Sequence, residues 1–181
     1  MNESDQRAAV VAAARRWIGT PYHHQADVLG AGVDCGMLLV RVYVDAGVVP
    51  PFDPRPYPVQ WHLHRDDERY LGFLVARGSE VEMPAPGDIV VWRIGRAYAH
   101  GGIVTGWPLV VHAYQPEGMV VESDVSLPGP LSENRDRRFF DPWRSAERAT
   151  GALSAPQRSG GKPSGPDGPR PAPEGPQGES P

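Results

Sequence analysis

The single cysteine of the chain, Cys35, stands where an enzyme would place a nucleophile. It follows the small residues of Gly32-Val33-Asp34 and precedes an apolar run that predicts a helix. The start of a helix carries unpaired backbone N–H groups and the positive end of the helix dipole, which together lower the pKa of a thiol and stabilise negative charge beside it. We therefore expect Cys35 to be a reactive thiol whose surroundings supply part of an oxyanion hole.

Two histidines in strand-like runs could serve this thiol. His100 is flanked by Ala99 and by two glycines, which would let a substrate approach closely, and it is the candidate general base. His112 comes twelve residues later, a spacing that fits neighbouring strands of a hairpin. There it could fix the tautomer of His100, or it could be a half-buried histidine with a purely structural hydrogen bond.

These residues have two other interpretations. A lone cysteine is often a small buried hydrophobe, but Asp34 and Gly36 are unusual neighbours for a core cysteine and suit an open helix start. A zinc site built from Cys35, His100 and His112 has suitable ligand types but lacks the paired short spacing of structural zinc motifs. The pattern favours nucleophilic catalysis.

Composition limits the function further. The chain has 181 residues, 40% apolar and 22% charged, which suits one soluble domain with a hydrophobic core. A net charge of −4 gives no global basic field, so no nucleic acid is expected as partner. The polar N-terminus does not resemble a signal peptide, and no apolar run approaches the length of a membrane span, so no membrane insertion is expected.

The chain divides into a domain at 1–148 and a tail at 149–181. From Gly151 onward there are eight Pro, seven Gly and no aromatic residue, a composition typical of disorder. Helical signals come first in the domain and strand signals later, which predicts an α+β fold.

Three helices are predicted, from about Asp5 to Trp17 with Ser4 as N-cap, from Cys35 to Val44, and from Trp61 to Ala76. The third carries His62 and His64, which are expected on a solvated surface. Short β-branched runs between glycines and prolines predict strands at 87–92, 99–105, 109–114 and 119–122.

Five short motifs in this order resemble the NlpC/P60 family of papain-like cysteine peptidases, particularly phage-associated members without a signal peptide. The motifs are Trp17-Ile18-Gly19-Thr20-Pro21-Tyr22, Val33-Asp34-Cys35-Gly36, Pro86-Gly87-Asp88-Ile89-Val90, His100-Gly101-Gly102-Ile103 and Val111-His112-Ala113. The resemblance covers residues 1 to about 145. It implies a papain-like domain in which N-terminal helices pack on a small antiparallel sheet.

The resemblance also implies roles for the catalytic residues. Cys35 would be the nucleophile, His100 the general base and His112 the third polar residue. Tyr22 would lie beside the oxyanion, although its phenol could equally pack a loop. No metal or cofactor is required by this chemistry.

The resemblance also concerns substrate binding at two further residues. Asp34, before the nucleophile, would help to recognise a free amine of the substrate. Gly36 follows the nucleophile where most members have serine, so a serine contact to substrate is absent. His23-His24-Gln25 also replaces the usual residues after Tyr22, and both departures concern substrate recognition.

The implied activity is hydrolysis of amide bonds in peptidoglycan stem peptides, usually between D-γ-glutamate and a diamino acid. Without a signal peptide, the expected location is a phage or phage-like tail, with tail-tip proteins as further partners. Two alternatives stay open: a tail-assembly protein that keeps the fold for docking, and a transferase whose thioester is intercepted by an amine or alcohol.

Overall fold

The computed structural model describes residues 2–57, 69–132 and 134–144 of the chain. Its α-helices in these ranges are α1 (Glu3–Arg16), α2 (Cys35–Asp45) and α3 (Arg69–Val75). Its strands are β1 (Asp27–Val28), β2 (Gly32–Val33), β3 (Ser79–Val81), β4 (Ile89–Ile94), β5 (Ala97–Gly106), β6 (Leu109–Tyr114), β7 (Met119–Asp124) and β8 (Arg137–Asp141). A 3₁₀ turn, Gln115–Glu117, links β6 to β7. None of the helices described here is long and apolar enough to cross a membrane.

Six strands form one antiparallel sheet in the order β3-β8-β4-β5-β6-β7, and β1 and β2 form a separate small hairpin. Strands β4 to β7 follow one another as hairpins, and β8 returns to pair with β4. Buried apolar side chains join the helices to the sheet, among them Val10 of α1, Leu38 of α2 and Ile103 of β5. The predicted α+β fold, with helices packed on a small antiparallel sheet, is confirmed.

The four predicted strands correspond to β4 to β7, and their bounds differ from the prediction by at most two residues. Strands β3 and β8 were not predicted. Strand β8 begins with Arg137 and Arg138 and is followed by Pro142, and these residues weaken its strand signal. Helix α3 lies inside the predicted third helix. The rest of that prediction, with His62 and His64, lies outside the described residues, as does the tail at 149–181.

Helix α1 begins earlier than predicted. Asn2 is its N-cap, and Asn2 and Asp5 bond reciprocally through side chain and backbone as a capping box. The predicted cap, Ser4, is wrong, since the side chain of Asn2 accepts from the Asp5 N–H and starts the helix two residues earlier. After the helix ends, Gly19 adopts φ +84°, as expected for a helix stop.

An ion cluster ties α1 to the sheet. Arg7 lies on α1, donates from Nη1 to Asp88 at 2.6 Å, and forms an ion pair with Asp141, whose Oδ2 lies 3.1 Å from Nη2. Its guanidinium also lies 4.2 Å from the ring centroid of Trp143. Both carboxylates are almost fully buried, and Arg7 supplies the positive charge beside Asp88 and shares that role at Asp141 with the exposed Arg144.

Candidate active site

Cys35 is the first residue of α2, as predicted. Asp34 is the N-cap, with Oδ1 accepting from the Met37 N–H at 2.9 Å. The partly exposed thiol opens into a cavity of about 440 Å³ and points at the carbonyl oxygen of Ala99, 3.9 Å from Sγ. The helix start therefore presents the sulfur to a cavity large enough for part of a peptide.

The thiol is not activated at rest. Burial raises the pKa of Cys35 to about 12, and the negative charge of Asp34 adds to this effect. Hydrogen bonding by the backbone N–H groups of Gly101, Gly36 and Cys35 itself acts in the opposite direction and is outweighed. The expectation of a lowered pKa is wrong, because desolvation is a larger effect here than the helix terminus.

His100 lies on β5 and lines the same cavity as Cys35. Its ring stacks on Trp92 of β4 at 5.6 Å between centroids, and its Nε2 lies 2.9 Å from Nδ1 of His112. Burial, followed by the neighbouring His112, lowers the pKa of His100 well below its usual value, so the imidazole is neutral. Within the described residues no hydrogen bond joins Cys35 to His100, and the thiol instead faces the carbonyl of Ala99.

His112 lies on β6 with only 1% of its surface exposed. Its Nδ1 faces His100, and its Nε2 lies 2.9 Å from Oγ of Ser123 on β7. Burial lowers the pKa of His112 to about 4. A Cβ on Gly102 would lie 2.5 Å from Cγ1 of Val110 and 3.1 Å from the Cβ of His112, so β5 needs a glycine where it passes this part of β6. The structure thus places the predicted third residue in contact with the predicted base.

Asp34 faces the cavity but is only 2% exposed. Besides capping α2, its Oδ2 accepts from the Gln25 N–H at 2.7 Å and lies 3.4 Å from Nδ1 of His24. The hydroxyl of Tyr57 donates to the same carboxylate. Asp34 therefore holds the helix start, the loop after Tyr22 and the loop before α3 together, and its recognition of an amine stays a prediction.

Tyr22 and Gly36 also line the cavity. Burial raises the pKa of Tyr22, with Cys35 and Asp34 adding to the effect, so its phenol is a neutral hydrogen-bond donor beside the thiol. A Cβ on Gly36 would lie 3.4 Å from the hydroxyl of Tyr57. The space beside the nucleophile that a larger residue would fill is therefore partly taken by Tyr57.

Four residues near Cys35, His100 and His112 were missed by the sequence analysis: Tyr57, Tyr70, Trp92 and Ser123. Tyr57 stands in a proline-rich run, where the one signal is an aromatic residue in an otherwise irregular segment. Trp92 and Ser123 could have been found from strand register, since Trp92 pairs with His100 and Ser123 pairs with Val110, two residues from His112 on the same face. The sequence alone does not give that register.

The predicted alternative of a zinc site was also compared with the geometry. His100 and His112 bond to each other through ring nitrogens, an arrangement that directs these nitrogens away from a shared metal ion. In the part of the chain that the structure describes, no group of three or more His, Cys, Asp or Glu side chains is placed to hold one. The site is therefore best described as a thiol and two linked imidazoles.

No protein-family model matches the sequence, and no curated protein sequence does. Solved structures match in fold. NlpC1 from Trichomonas vaginalis has a TM-score of 0.56 at 17% identity, over 79% of this chain and 45% of that one. An NlpC/P60 family protein from Bacillus cereus has a TM-score of 0.52 at 20% identity, over 73% and 39%. This chain thus spans less than half the length of either protein.

A third match is the peptidoglycan hydrolase RipB from Mycobacterium tuberculosis, with a TM-score of 0.51 at 18% identity, over 78% of this chain and 68% of that one. Identities this low establish shared architecture and no more. The protein has the papain-like fold of NlpC/P60 domains.

Proposed function

We propose that this protein is a cysteine peptidase that hydrolyses amide bonds in the stem peptides of peptidoglycan. One observation carries the proposal: Cys35 and His100 line one cavity, and the far nitrogen of His100 is held by His112. A nucleophile, a base and a residue that orients the base are the three parts that acyl transfer by a thiol requires. The fold supports the substrate class, since RipB, described as a peptidoglycan hydrolase, has the same architecture.

The reaction starts from a neutral pair. As substrate fills the cavity, the thiol proton passes to the free nitrogen of His100, Nδ1, and the sulfur attacks the carbonyl carbon. The resulting oxyanion is stabilised by backbone N–H groups at the start of α2, with Tyr22 as a neutral donor beside it. The imidazolium of His100 then protonates the leaving amine, and a thioester remains on Cys35.

Deacylation repeats these steps with water. His100 takes a proton from the water, the hydroxide attacks the thioester, and the thiolate leaves and recovers its proton. Because His112 holds Nε2 of His100 throughout, the ring keeps Nδ1 towards the reacting atoms. Each turnover thus adds one water to the substrate.

We assign recognition of the substrate to Asp34 and Tyr57, which also line the cavity. Asp34 is a buried carboxylate that lines it, with the hydroxyl of Tyr57 on both of its oxygens. We assign this pair to a free amine of the stem peptide, and the D-γ-glutamyl bond to a diamino acid as the bond that is cut. We place the enzyme in a phage or phage-like tail, with tail-tip proteins as neighbours.

The test is mass spectrometry of fragments released from purified peptidoglycan and from defined stem peptides. The wild-type chain is compared with Cys35→Ala and His100→Ala, each checked for folding by circular dichroism. Fragments released by the wild type alone, each heavier by one water, support the peptidase and locate the bond. Equal release by Cys35→Ala would overturn the mechanism.

A transferase is the second candidate, favoured by the walls of the cavity. Leu39, Val49, Phe52 and Phe73 make much of the lining apolar, and a water-poor cavity gives an amine acceptor an advantage over water in attacking the thioester. The same mass measurement separates the two, because transfer adds the mass of the acceptor in place of water.

A further inference from the structure

Three side chains form a chain of hydrogen bonds across three neighbouring strands. His100 on β5 meets His112 on β6 at 2.9 Å, and His112 meets Ser123 on β7 at 2.9 Å. The ring nitrogens in these bonds are Nε2 of His100 and both Nδ1 and Nε2 of His112. Among the described residues, the series ends in the hydroxyl of Ser123.

Protons can be arranged along this series in two ways. In the first, His100 donates from Nε2 to Nδ1 of His112, and His112 donates from Nε2 to Ser123. In the second, Ser123 donates to His112, His112 donates from Nδ1 to His100, and the single proton of neutral His100 lies on Nδ1. Only the first leaves Nδ1 of His100 with the lone pair that a base needs.

The choice between the two arrangements of protons matters because both imidazoles are neutral. Burial holds the pKa of His112 at about 4 and that of His100 well below its usual value, so near pH 7 each ring carries one proton and has one tautomer to select. The direction of the bond between His112 and Ser123 decides both tautomers at once, because each ring in the series can donate from one nitrogen only.

We propose that Ser123 is a positioning residue of the active site, whose hydroxyl accepts a hydrogen bond from His112 and so keeps His100 in the tautomer that can act as base. This inference rests on the proposed function for its catalytic meaning. Ser123 acts through two imidazoles and does not touch the substrate.

The location of Ser123 allows its oxygen to be an acceptor. It is partly exposed on β7, so its own proton can be donated to water while a lone pair faces His112. His112, in contrast, is almost fully buried, and an N–H left without an acceptor there would be costly. The hydroxyl therefore stabilises the tautomer of His112 that places the proton on Nε2.

The first test measures the tautomers directly. Nitrogen-15 NMR of the histidine-labelled full chain is recorded for the wild type, Ser123→Ala, Ser123→Thr and, as matched control, Ser126→Ala, whose hydroxyl bonds to Asp124 away from the histidines. We expect the proton of His100 on Nε2 in the wild type, Ser123→Thr and Ser126→Ala, and a mixture of tautomers in Ser123→Ala. A wild-type His100 protonated on Nδ1, or tautomers unchanged in Ser123→Ala, would overturn the proposal.

The second test measures turnover on stem peptides. For Ser123→Ala we expect kcat to fall about tenfold with KM unchanged, because a wrong tautomer removes the base without altering the binding surface. Ser123→Thr should restore kcat, and an equal loss in Ser123→Thr would contradict the role of the hydroxyl. Since NMR needs no substrate, a protein that fails to cleave peptidoglycan disproves the proposed function while the tautomers still decide the role of Ser123.

Discussion

The hydroxyl of Tyr57 bridges the carboxylate of Asp34, at 2.9 Å from Oδ1 and 2.8 Å from Oδ2. This pair faces the cavity beside the nucleophile, where Gly36 provides no side chain. Asp34 is the N-cap of α2 and Tyr57 lies in the loop that follows this helix, so the two residues meet at the start of α2. The pair therefore forms a polar part of a cavity whose lining is mostly apolar, and under the proposed function it would orient the substrate there.

Tyr57→Phe tests this pair. The substitution removes one hydroxyl next to a carboxylate, while the Met37 and Gln25 N–H groups still hold Asp34. We expect KM for stem peptides to rise roughly tenfold with a smaller change in kcat, since a hydrogen bond to a charged group contributes about 1.5–3 kcal/mol. Steady-state kinetics measure it. Tyr98→Phe, which removes a phenol that bonds to Asp136 outside the cavity, is the matched control.

The resting thiol leads to a prediction about labelling. With its pKa raised to about 12, Cys35 should react with iodoacetamide more slowly than a free thiol near pH 7, and the rate should climb about tenfold per pH unit up to at least pH 9. Cys35 is the only cysteine, so intact mass reports on it alone. A fast rate that stays level from about pH 5 to 8 would instead indicate a preformed thiolate and imidazolium.

These results show what the sequence could and could not predict. Asp34 and Cys35 were placed correctly because an N-cap and the first turn of a helix are local features. The hairpin that carries His100 and His112 was also predicted correctly, because the short spacing between its strands is a local feature. The pKa of the thiol could not be predicted, since the burial of Cys35 depends on side chains such as Tyr57 and Tyr70, which come from segments distant in sequence.

The buried histidines make the free energy of unfolding depend on pH. Both have a lower pKa in the folded chain than the ordinary value of about 6.5 expected when unfolded, so the unfolded chain binds more protons below that pH. Their contribution is complete above about pH 6.5 and is lost as the pH falls, in the case of His112 towards about pH 4. For His112 it amounts to about 3 kcal/mol over this range.

Urea unfolding at several pH values measures this dependence. The wild type should lose stability steadily from about pH 6.5 to 4.5, and His112→Gln, which lacks one of the two groups, should lose it with a shallower slope. The same slope in both proteins would show that His112 does not titrate on unfolding.

Arg7 is predicted to be the most important charge for stability. Arg7→Met leaves Asp88 buried without its cation and Asp141 with only the exposed Arg144, and breaking a buried pair in this way costs about 3–5 kcal/mol. Thermal unfolding should show a large fall in Tm, part of which Asp88→Asn restores in the double variant because it removes the carboxylate that lost its cation. Arg41→Met, which breaks an exposed pair with Asp45, should cost less than about 1 kcal/mol. Equal losses from the two arginine variants would contradict the assigned role of Arg7.

Gly101 is predicted to couple the packing of α3 to the active site. A Cβ at Gly101 would overlap with the hydroxyl of Tyr70 and come within 3.1 Å of Leu39, and both side chains line the cavity next to Cys35. Gly101→Ala should therefore displace Tyr70, lower stability by about 1–3 kcal/mol and reduce turnover. The double variant with Tyr70→Phe, which removes the overlapping oxygen, should recover part of both losses. If the double variant is merely the sum of the two single variants, the Tyr70 hydroxyl is not what requires a glycine at this position.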